Sequence, residues 1–527
     1  MDKKPNILLI LADDLGFSDL GCFGSEINTP NIDQLANGGL RFTQFYNSAR
    51  CCPSRASLLS GLYPHQAGVG EMTEDLETPG YRGYLKDQCV TLAEVLKGGG
   101  YHTYLSGKWH VGEIGPIERG FDDFYGMLGG FTSFWDKSEY TRLPKGRAER
   151  SYQDGEFYAT DAITDHALDF IKDSREDSNP YFLYLAYNAP HFPLQAPKEE
   201  IAKYEKVYEK GWDKIREERL ERMKKLQIVD EDTQLTPRSE YWDRDRNIQG
   251  TNPAWDSIDP DRQKDLIKRM AIYAAMVDRM DQNIGRVIEN LRENGELENT
   301  LVLFCSDNGA CAEWDPWGFD DWITTSNFLH RKGDLEKMGG PESYHSYGSG
   351  WANACSTPLR LYKHYGHEGG ISTPLIAHWP ESIEREGEID HRPGHFIDFM
   401  ATFVDITGAP YPENYRGSKI LPMEGESLMP AFTGEESEPR TICYEHEQHC
   451  GIRQGKWKLS KVREMDWELY NIDNDRTELH NLKDDYPELI EKMKKDWEEW
   501  AWRTDVYPRK VKSKVEKSAS IIFTISY

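Results

Sequence analysis

Cys51-Cys52-Pro53-Ser54-Arg55-Ala56-Ser57-Leu58-Leu59-Ser60-Gly61 is the stretch from which the rest of the chain can be read. Its local physics predicts a helix. Pro53 suits the first turn, where a backbone N–H is not needed, and Ala56, Ser57, Leu58 and Leu59 carry the helix on toward Gly61. An anion facing the start of that helix meets free N–H groups and the positive end of the dipole. The plainer reading of the two thiols is burial as small hydrophobes.

The same residues resemble the C-x-P-S-R-x-x-x-L-[ST]-G signature of the type I sulfatases, the formylglycine-dependent branch of the alkaline phosphatase superfamily. The resemblance implies that the cysteine is oxidised after translation to formylglycine. One hydroxyl of the hydrated aldehyde attacks sulfur, and the other lets sulfate be expelled. Counting from Cys51, Pro falls at +2 and Arg at +4, as the pattern requires; counting from Cys52, those places hold Ser54 and Ala56. Cys51 is therefore the expected nucleophile and Cys52 the free position between.

Outward from this segment, short apolar runs each end in chemically capable residues. Asn6 to Ala12 runs into Asp13-Asp14, and Tyr101 to Leu105 into Gly107-Lys108-Trp109-His110. Phe182 to Tyr187 leads to Asn188-Ala189-Pro190-His191, and Leu301 to Cys305 to Ser306-Asp307-Asn308-Gly309. Such runs read as strands buried on both faces. Helical patterns lie between them, the clearest from Asp261 to Glu293, where Tyr273, Met276, Val277, Met280, Ile284, Val287, Ile288 and Leu291 form one apolar stripe. The alternation predicts an α/β fold. A large, mainly parallel mixed sheet is sandwiched by helices, and a smaller C-terminal antiparallel sheet with a helix follows. We expect a catalytic domain over 1–436 and a smaller domain over 437–527 that borders the active site, the Pro- and Gly-rich stretch Ala409 to Pro439 marking the boundary. Lys198 to Asn247, rich in Glu and Lys, reads as a solvated excursion. Ligands of open α/β sheets gather beyond the carboxyl ends of strands, so the four polar clusters predict one site.

The resemblance covers Pro5 to about Asn481 and extends to these clusters. It implies a metal held by Asp13, Asp14, Asp307 and Asn308, with residue 51 also on the ion. Three carboxylates and an amide oxygen form a hard donor set, suited to Ca²⁺ more than Mg²⁺. Gly107-Lys108-Trp109-His110 resembles the family's G-K-W-H motif, which puts Lys108 on a sulfate oxygen and His110 beside the formylglycine hydroxyls. Ala189-Pro190-His191 resembles the A-P-H loop, with His191 at the ester oxygen. Lys363, five residues before Glu368 of Glu368-Gly369-Gly370, matches another family lysine. The implied catalytic set is Cys51, Arg55, Lys108, His110, His191 and Lys363, with Asp307 accepting the attacking hydroxyl's proton. Singly, each of these residues reads more readily as a cap, a turn, a surface charge or a packed histidine. Together they supply the positive charge a transferring sulfuryl group requires. The segment from Trp351 to Pro380 most resembles the bacterial arylsulfatase subgroup. One departure stands out: Glu445-His446-Glu447 continues with Gln448-His449-Cys450 where similar sequences have Gly-Asn-Arg. The loop from Cys311 to Trp351 carries Trp314, Trp317, Phe319, Trp322 and Tyr344, for stacking a sugar or for its own packing.

Composition limits the alternatives. The 527 residues carry 63 basic and 90 acidic side chains, a net charge of −27, which argues against nucleic acid and against a densely sulfated polymer. A small or sparsely sulfated molecule or glycan is the expected substrate, and a sulfatase-maturing enzyme the expected partner. Nine scattered cysteines make neither a disulfide framework nor a C-x-x-C zinc pattern. No apolar run, Ile521 to Ile525 included, approaches a membrane span. No signal peptide is visible; a periplasmic or secreted protein whose leader has been removed is the expectation, with the cytoplasm as the alternative. Two other functions stay open on the sequence. One is a phosphate or phosphonate monoester hydrolase of the same fold, the other an inactive, sulfatase-derived glycan-binding protein.

Overall fold

The strand Asn6–Ala12 (β1) explains why the sequence shows continuous apolar runs. Leu8, Ile10 and Ala12 enter one hydrophobic core, while Ile7, Leu9 and Leu11 enter another on the opposite face. Alternate side chains of a strand point to opposite faces, so a strand covered on both sides needs apolar residues throughout. The computed structural model describes residues 4–153, 155–243, 248–321 and 327–509. Trp322, the run Ile521 to Ile525 and the tail from residue 510 onward lie outside the described residues.

β1 sits in a ten-stranded sheet with β2 (Leu40–Tyr46), β3 (His102–Lys108), β4 (Asp123–Met127), β5 (Thr141–Leu143), β6 (Tyr181–Ala186), β7 (Thr300–Ser306) and β8 (Ser372–His378). Their spatial order is β2-β8-β7-β1-β6-β3-β4-β5, and the short strands Ile389–Asp390 and Gly394–His395 lie along β2. β7, β1, β6, β3 and β4 run parallel. β8 is antiparallel to both β7 and β2, so β2 points the same way as the parallel block. Gly107 lets β3 lie close to β6: at φ +125°, a Cβ there would stand 1.8 Å from the Ala186 carbonyl oxygen.

Helices cover both faces. α1 (Pro30–Asn37), α4 (Ala159–Ser174), α5 (Gly211–Lys225) and α6 (Pro260–Glu293) share one core. α2 (Cys51–Ser60), α3 (Leu92–Gly98) and α7 (Asp398–Thr407) share the other. Asp259 caps α6 by accepting from the Asp261 N–H, Pro260 occupies its first turn, and the whole predicted stripe from Tyr273 to Leu291 is buried. The C-terminal part is a four-stranded antiparallel sheet, β9 (Thr441–His446), β10 (His449–Gln454), β11 (Trp457–Lys461) and β12 (Trp467–Asn471). Helix α8 (Pro487–Arg503) lays Ile490, Met493, Trp497 and Trp500 against its Cys443, Ile452, Leu459 and Leu469. Among the described residues, no helix is long and apolar enough to cross a membrane.

The segment expected as a solvated excursion is docked instead. Trp212, Ile215, Arg216, Arg219, Leu220 and Met223 of α5 are buried; their three- and four-residue spacing was hidden among the Glu and Lys of the outer face. Arg219, fully buried, donates to Asp19 Oδ1 at 2.6 Å and to Glu26 Oε1 at 2.7 Å and Oε2 at 2.9 Å. Asp19 also receives the Tyr273 hydroxyl of α6 at 2.6 Å and the Gly16 N–H at 2.8 Å, so this guanidinium anchors the loop that follows β1. Removing one partner of a buried pair leaves an uncompensated charge. Arg219→Met should therefore lower the unfolding free energy by about 3–5 kcal/mol, read as a shift in the denaturant midpoint; a change under about 1 kcal/mol would show that the anchor carries no weight.

Candidate active site

Every predicted site residue comes to one edge of the large sheet. Asp13-Asp14 follow β1 and Asp307-Asn308 follow β7. Lys108 ends β3, His110 lies just beyond it, and His191 lies beyond β6. Cys51 opens α2 after β2. Because β8 is antiparallel, Lys363 and Glu368 precede it at this same edge. Asp14 and His110 adopt positive φ, +69° and +47°, a conformation non-glycine residues hold only under tertiary constraint.

Carboxylates and cations alternate in the interior of the site. Lys108 Nζ donates to Asp13 Oδ2 at 2.5 Å, and Arg55 Nη2 lies 3.6 Å from the same oxygen. Arg55 contacts Asp307 Oδ2 through Nε at 3.0 Å and Nη2 at 2.8 Å. Lys363 Nζ pairs with Asp14 Oδ1 at 2.7 Å, and His191 Nε2 stands 3.4 Å from Asp14 Oδ2. Asn308 Nδ2 donates to Asp14 Oδ1 at 2.6 Å, and the Asp14 N–H reaches Asp307 Oδ1 at 3.3 Å. The Phe192 carbonyl lies 2.7 Å from His191 Nδ1, which places a proton there and leaves Nε2 facing the site. His110 Nε2 lies 3.1 Å from Cys52 Sγ.

Burial and charge set the protonation states. Burial, with the Asp13 charge adding to it, raises Asp307 to about 7. Burial also raises Asp13. Asp14 feels the same burial, but His191 and Lys363 outweigh it and hold the carboxyl below its usual range. Burial lowers His110 and His191 to about 4. The Cys51 thiol is held well below its ordinary value by its hydrogen bond from Cys52, against burial and with help from His110 and Lys108.

Three oxygens in this network, Asp13 Oδ1, Asp14 Oδ2 and Asn308 Oδ1, are buried and accept no hydrogen bond. Buried polar atoms are ordinarily satisfied. With Asp307 they make an all-oxygen donor set that fits a hard divalent cation.

Sequence reading missed the residues beside Cys51. Cys52, taken as a free position, touches His110. Arg50 Nη1 hydrogen-bonds the His364 ring at 2.7 Å and lies 3.8 Å from Glu313 Oε1. Their adjacency to Cys51 and Lys363 was the one available signal. The aromatic loop serves mainly packing: Phe319 is buried against Phe192 with centroids 4.9 Å apart, while Trp314 lies 4.6 Å from the His364 ring beside the site.

A buried thiol at a helix start, ringed by cations and an oxygen donor set at the carboxyl edge of such a sheet, is an arrangement suited to an anionic ester. The sulfatase family model matches residues 5–409, and that of the N-sulphoglucosamine sulphohydrolase C-terminal region matches 360–502. An uncharacterised sulfatase of Schizosaccharomyces pombe is 36% identical over 457 residues, covering 82% of this chain and 80% of its own. An arylsulfatase of Klebsiella aerogenes is 35% identical over 444 residues, covering 81% of this chain and 91% of its own. The crystal structure of Ps i-CgsB with k-i-k-neocarrahexaose superposes with a TM-score of 0.68 at 27% identity, over 99% of this chain and 98% of that one. The chain belongs to the sulfatase family, and it is a sulfuric ester hydrolase.

Asp307 gives the site a testable pH signature. Its folded carboxyl holds a proton up to about 7, whereas the unfolded chain releases it near 3.8. Between these values the folded state binds more protons, so this group's contribution to stability falls as pH rises. In protein stripped of divalent cations by a chelator, Asp307→Asn should flatten the decline in unfolding free energy between these pH values. An unaltered slope in the variant would assign the decline to other groups.

Proposed function

We propose that the protein hydrolyses O-sulfate monoesters on a carbohydrate, with residue 51 in the formylglycine form and calcium on the Asp13, Asp14, Asp307 and Asn308 oxygens. The observation that carries this reading is the convergence in one buried cluster of Cys51, of Arg55, Lys108 and Lys363 paired with Asp307, Asp13 and Asp14, and of three oxygens that accept no hydrogen bond. Once bound, calcium supplies Lewis-acid polarisation of the reacting oxygens, and the hydrated aldehyde supplies the two hydroxyls for attack and release.

The chain's own residues do the rest. Arg55, Lys108 and Lys363 bind the sulfate oxygens and stabilise the charge that spreads over them. Asp307 acts as the general base that accepts the attacking hydroxyl's proton. His191 presents Nε2 to the ester oxygen and protonates the leaving alcohol. Burial opposes that second proton, while Asp14 and the anionic ester favour it. His110, neutral because burial holds it down to about 4, accepts the proton of the second hydroxyl as sulfate leaves.

Residues 437–527 act in this reading as the smaller domain at the border of the site. Lys458 Nζ supports this, lying 2.8 Å from Glu368 Oε1 beneath the Lys363 loop, as does His65 Nε2, 2.8 Å from Glu445 Oε2. A sulfatase-maturing enzyme is the partner that residue 51 requires, and a periplasmic or secreted location accords with a sulfated glycan as substrate.

Cys51→Ala should abolish turnover while Cys52→Ala retains most of it. Peptide mass should fall by about 18 Da, thiol to aldehyde, at residue 51 alone when the maturing enzyme is present. Modification at residue 52 overturns the assignment, and an aryl phosphate kcat/KM above that of the aryl sulfate overturns the sulfate preference.

The leaving group tests His191. A sugar alcohol needs protonation as it departs, whereas nitrophenolate barely does. His191→Ala should therefore slow sugar-sulfate hydrolysis about 10²–10⁴-fold more than nitrophenyl sulfate hydrolysis, the usual range for general acid help. Equal losses on both substrates would move the acid to another residue.

A further inference from the structure

Cys52 lies wholly buried at the start of α2. Its Sγ is 3.1 Å from His110 Nε2 and 3.8 Å from Met72 Sδ. Cys51 stands beside it. Ligand atoms of Cys51, Cys52 and His110 lie within 4.8 Å of one another, and all three residues are buried. Two thiols, an imidazole and a thioether thus gather in one place. They come from three separate stretches of the chain: α2, the residues just past β3, and the segment between α2 and α3.

The spacing suits a shared ion. Metal bonds to nitrogen and sulfur of about 2.0–2.3 Å, as zinc makes them, set tetrahedral ligand atoms roughly 3.3–3.8 Å apart. The separations of 3.1 and 3.8 Å about Cys52 Sγ need only small side-chain rotations to meet that range. His110 Nδ1 is buried and makes no hydrogen bond. No partner therefore dictates which ring nitrogen carries the proton, and Nε2 is able to present its lone pair. Gly130 keeps room beside that nitrogen, since a Cβ there would stand 2.8 Å from His110 Nε2. Met72 is the partly buried member of the group, and its flexible, unbranched side chain gives an ion a way in.

Donor softness selects the ion. The oxygen set at Asp13, Asp14, Asp307 and Asn308 suits a hard cation. Thiolate and thioether select copper(I) or zinc. Zinc draws its ligands from thiolate, imidazole and carboxylate, so the thioether tips this set toward copper(I). The nearby cations Arg55 and Lys108 are matched by Asp307 and Asp13, which leaves the ion's charge to be met by its own ligands. Two thiolates more than cancel a single positive charge.

We propose that Cys51, Cys52, His110 and Met72 form a copper(I) site that exists only while residue 51 keeps its sulfur. Binding releases the two thiol protons to solvent, and the ion keeps its oxidation state. The bound ion covers the Cys51 sulfur and ties His110 to it, so a copper-loaded chain is closed at the residue its activity requires. Conversion of Cys51 to the aldehyde removes one of the sulfurs, and the site with it. That conversion rests on the formylglycine reading; the binding itself does not.

The test takes the full chain made without a maturing enzyme, with residue 51 verified as a thiol by peptide mass, in oxygen-free, reducing buffer. Copper(I) is titrated in competition with a chromogenic chelator while calcium is in excess. One tightly held copper per chain is expected, with sulfur and nitrogen together in its X-ray absorption spectrum. Cys52→Ser should weaken copper at least about 10–100-fold, the loss typical when even an outer partner of a metal site is removed, and Met72→Leu should weaken it by less. Chain carrying the aldehyde at residue 51 should lose affinity as Cys52→Ser does. Should Cys52→Ser fail to fold, Met72→Leu and the absorption spectrum of the native chain decide. If residue 51 is never converted, the formylglycine reading fails while the copper site stands. Absence of copper binding by the native chain, a ligand shell without sulfur, or unchanged affinity in Cys52→Ser overturns the proposal.

Discussion

Three buried carboxylates facing three buried cations hold the site together. Asp13, Asp14 and Asp307 are matched by Arg55, Lys108 and Lys363, all essentially without solvent exposure. Charges in such a place are tolerated only in company, because desolvation costs each one several kcal/mol. This pairing dictates what the scaffold must do. β7, β1, β6 and β3 have to end along one edge, α2 has to begin against them, and β8 has to enter from the opposite direction, so that each charge meets its counterpart within hydrogen-bonding range. The Arg219 anchor on Asp19 and the Tyr273 hydroxyl from α6 serve the same end one layer out, fixing the loop that carries the aspartates.

The arrangement also reconciles a strongly acidic chain with an anionic substrate. The net charge of −27 is a long-range property, screened over about 8–10 Å at physiological salt. In the proposed function recognition is local, through buried cations already neutralised by the site's own carboxylates. An incoming anion is received by fixed charges rather than drawn in by the surface.

Much of this was legible in the sequence because strands buried on both faces advertise themselves, and because the chemistry sits where they stop. Asp13-Asp14, Lys108, His191 and Asp307-Asn308 each follow an apolar run, and the motif at Cys51 singled out one of two adjacent thiols as the expected nucleophile. What escaped notice depends on partners far away in the chain. Arg50 and His364 are separated by 314 positions, and no local pattern links them. α5 was misjudged for a different reason: its buried arginines counted as surface charge, although Arg219 is among the most enclosed side chains in the protein. Hydropathy alone cannot distinguish a guanidinium held by two carboxylates from one held by water.

The order of the strands has a consequence for the protein's birth on the ribosome. Cys51 lies in the first tenth of the chain, yet β1 acquires its neighbour β7 only after residue 300 has been made, and Lys363 later still. At about 5–20 residues per second of synthesis, the stretch between them occupies on the order of ten to fifty seconds. During that interval the cysteine segment has left the ribosome without the strand that completes the centre of the sheet. Finished, the same cysteine is 2% exposed. The topology thus sets a clock: under the proposed maturation of residue 51, the modifying enzyme would have access early, and the closing of the sheet would end it.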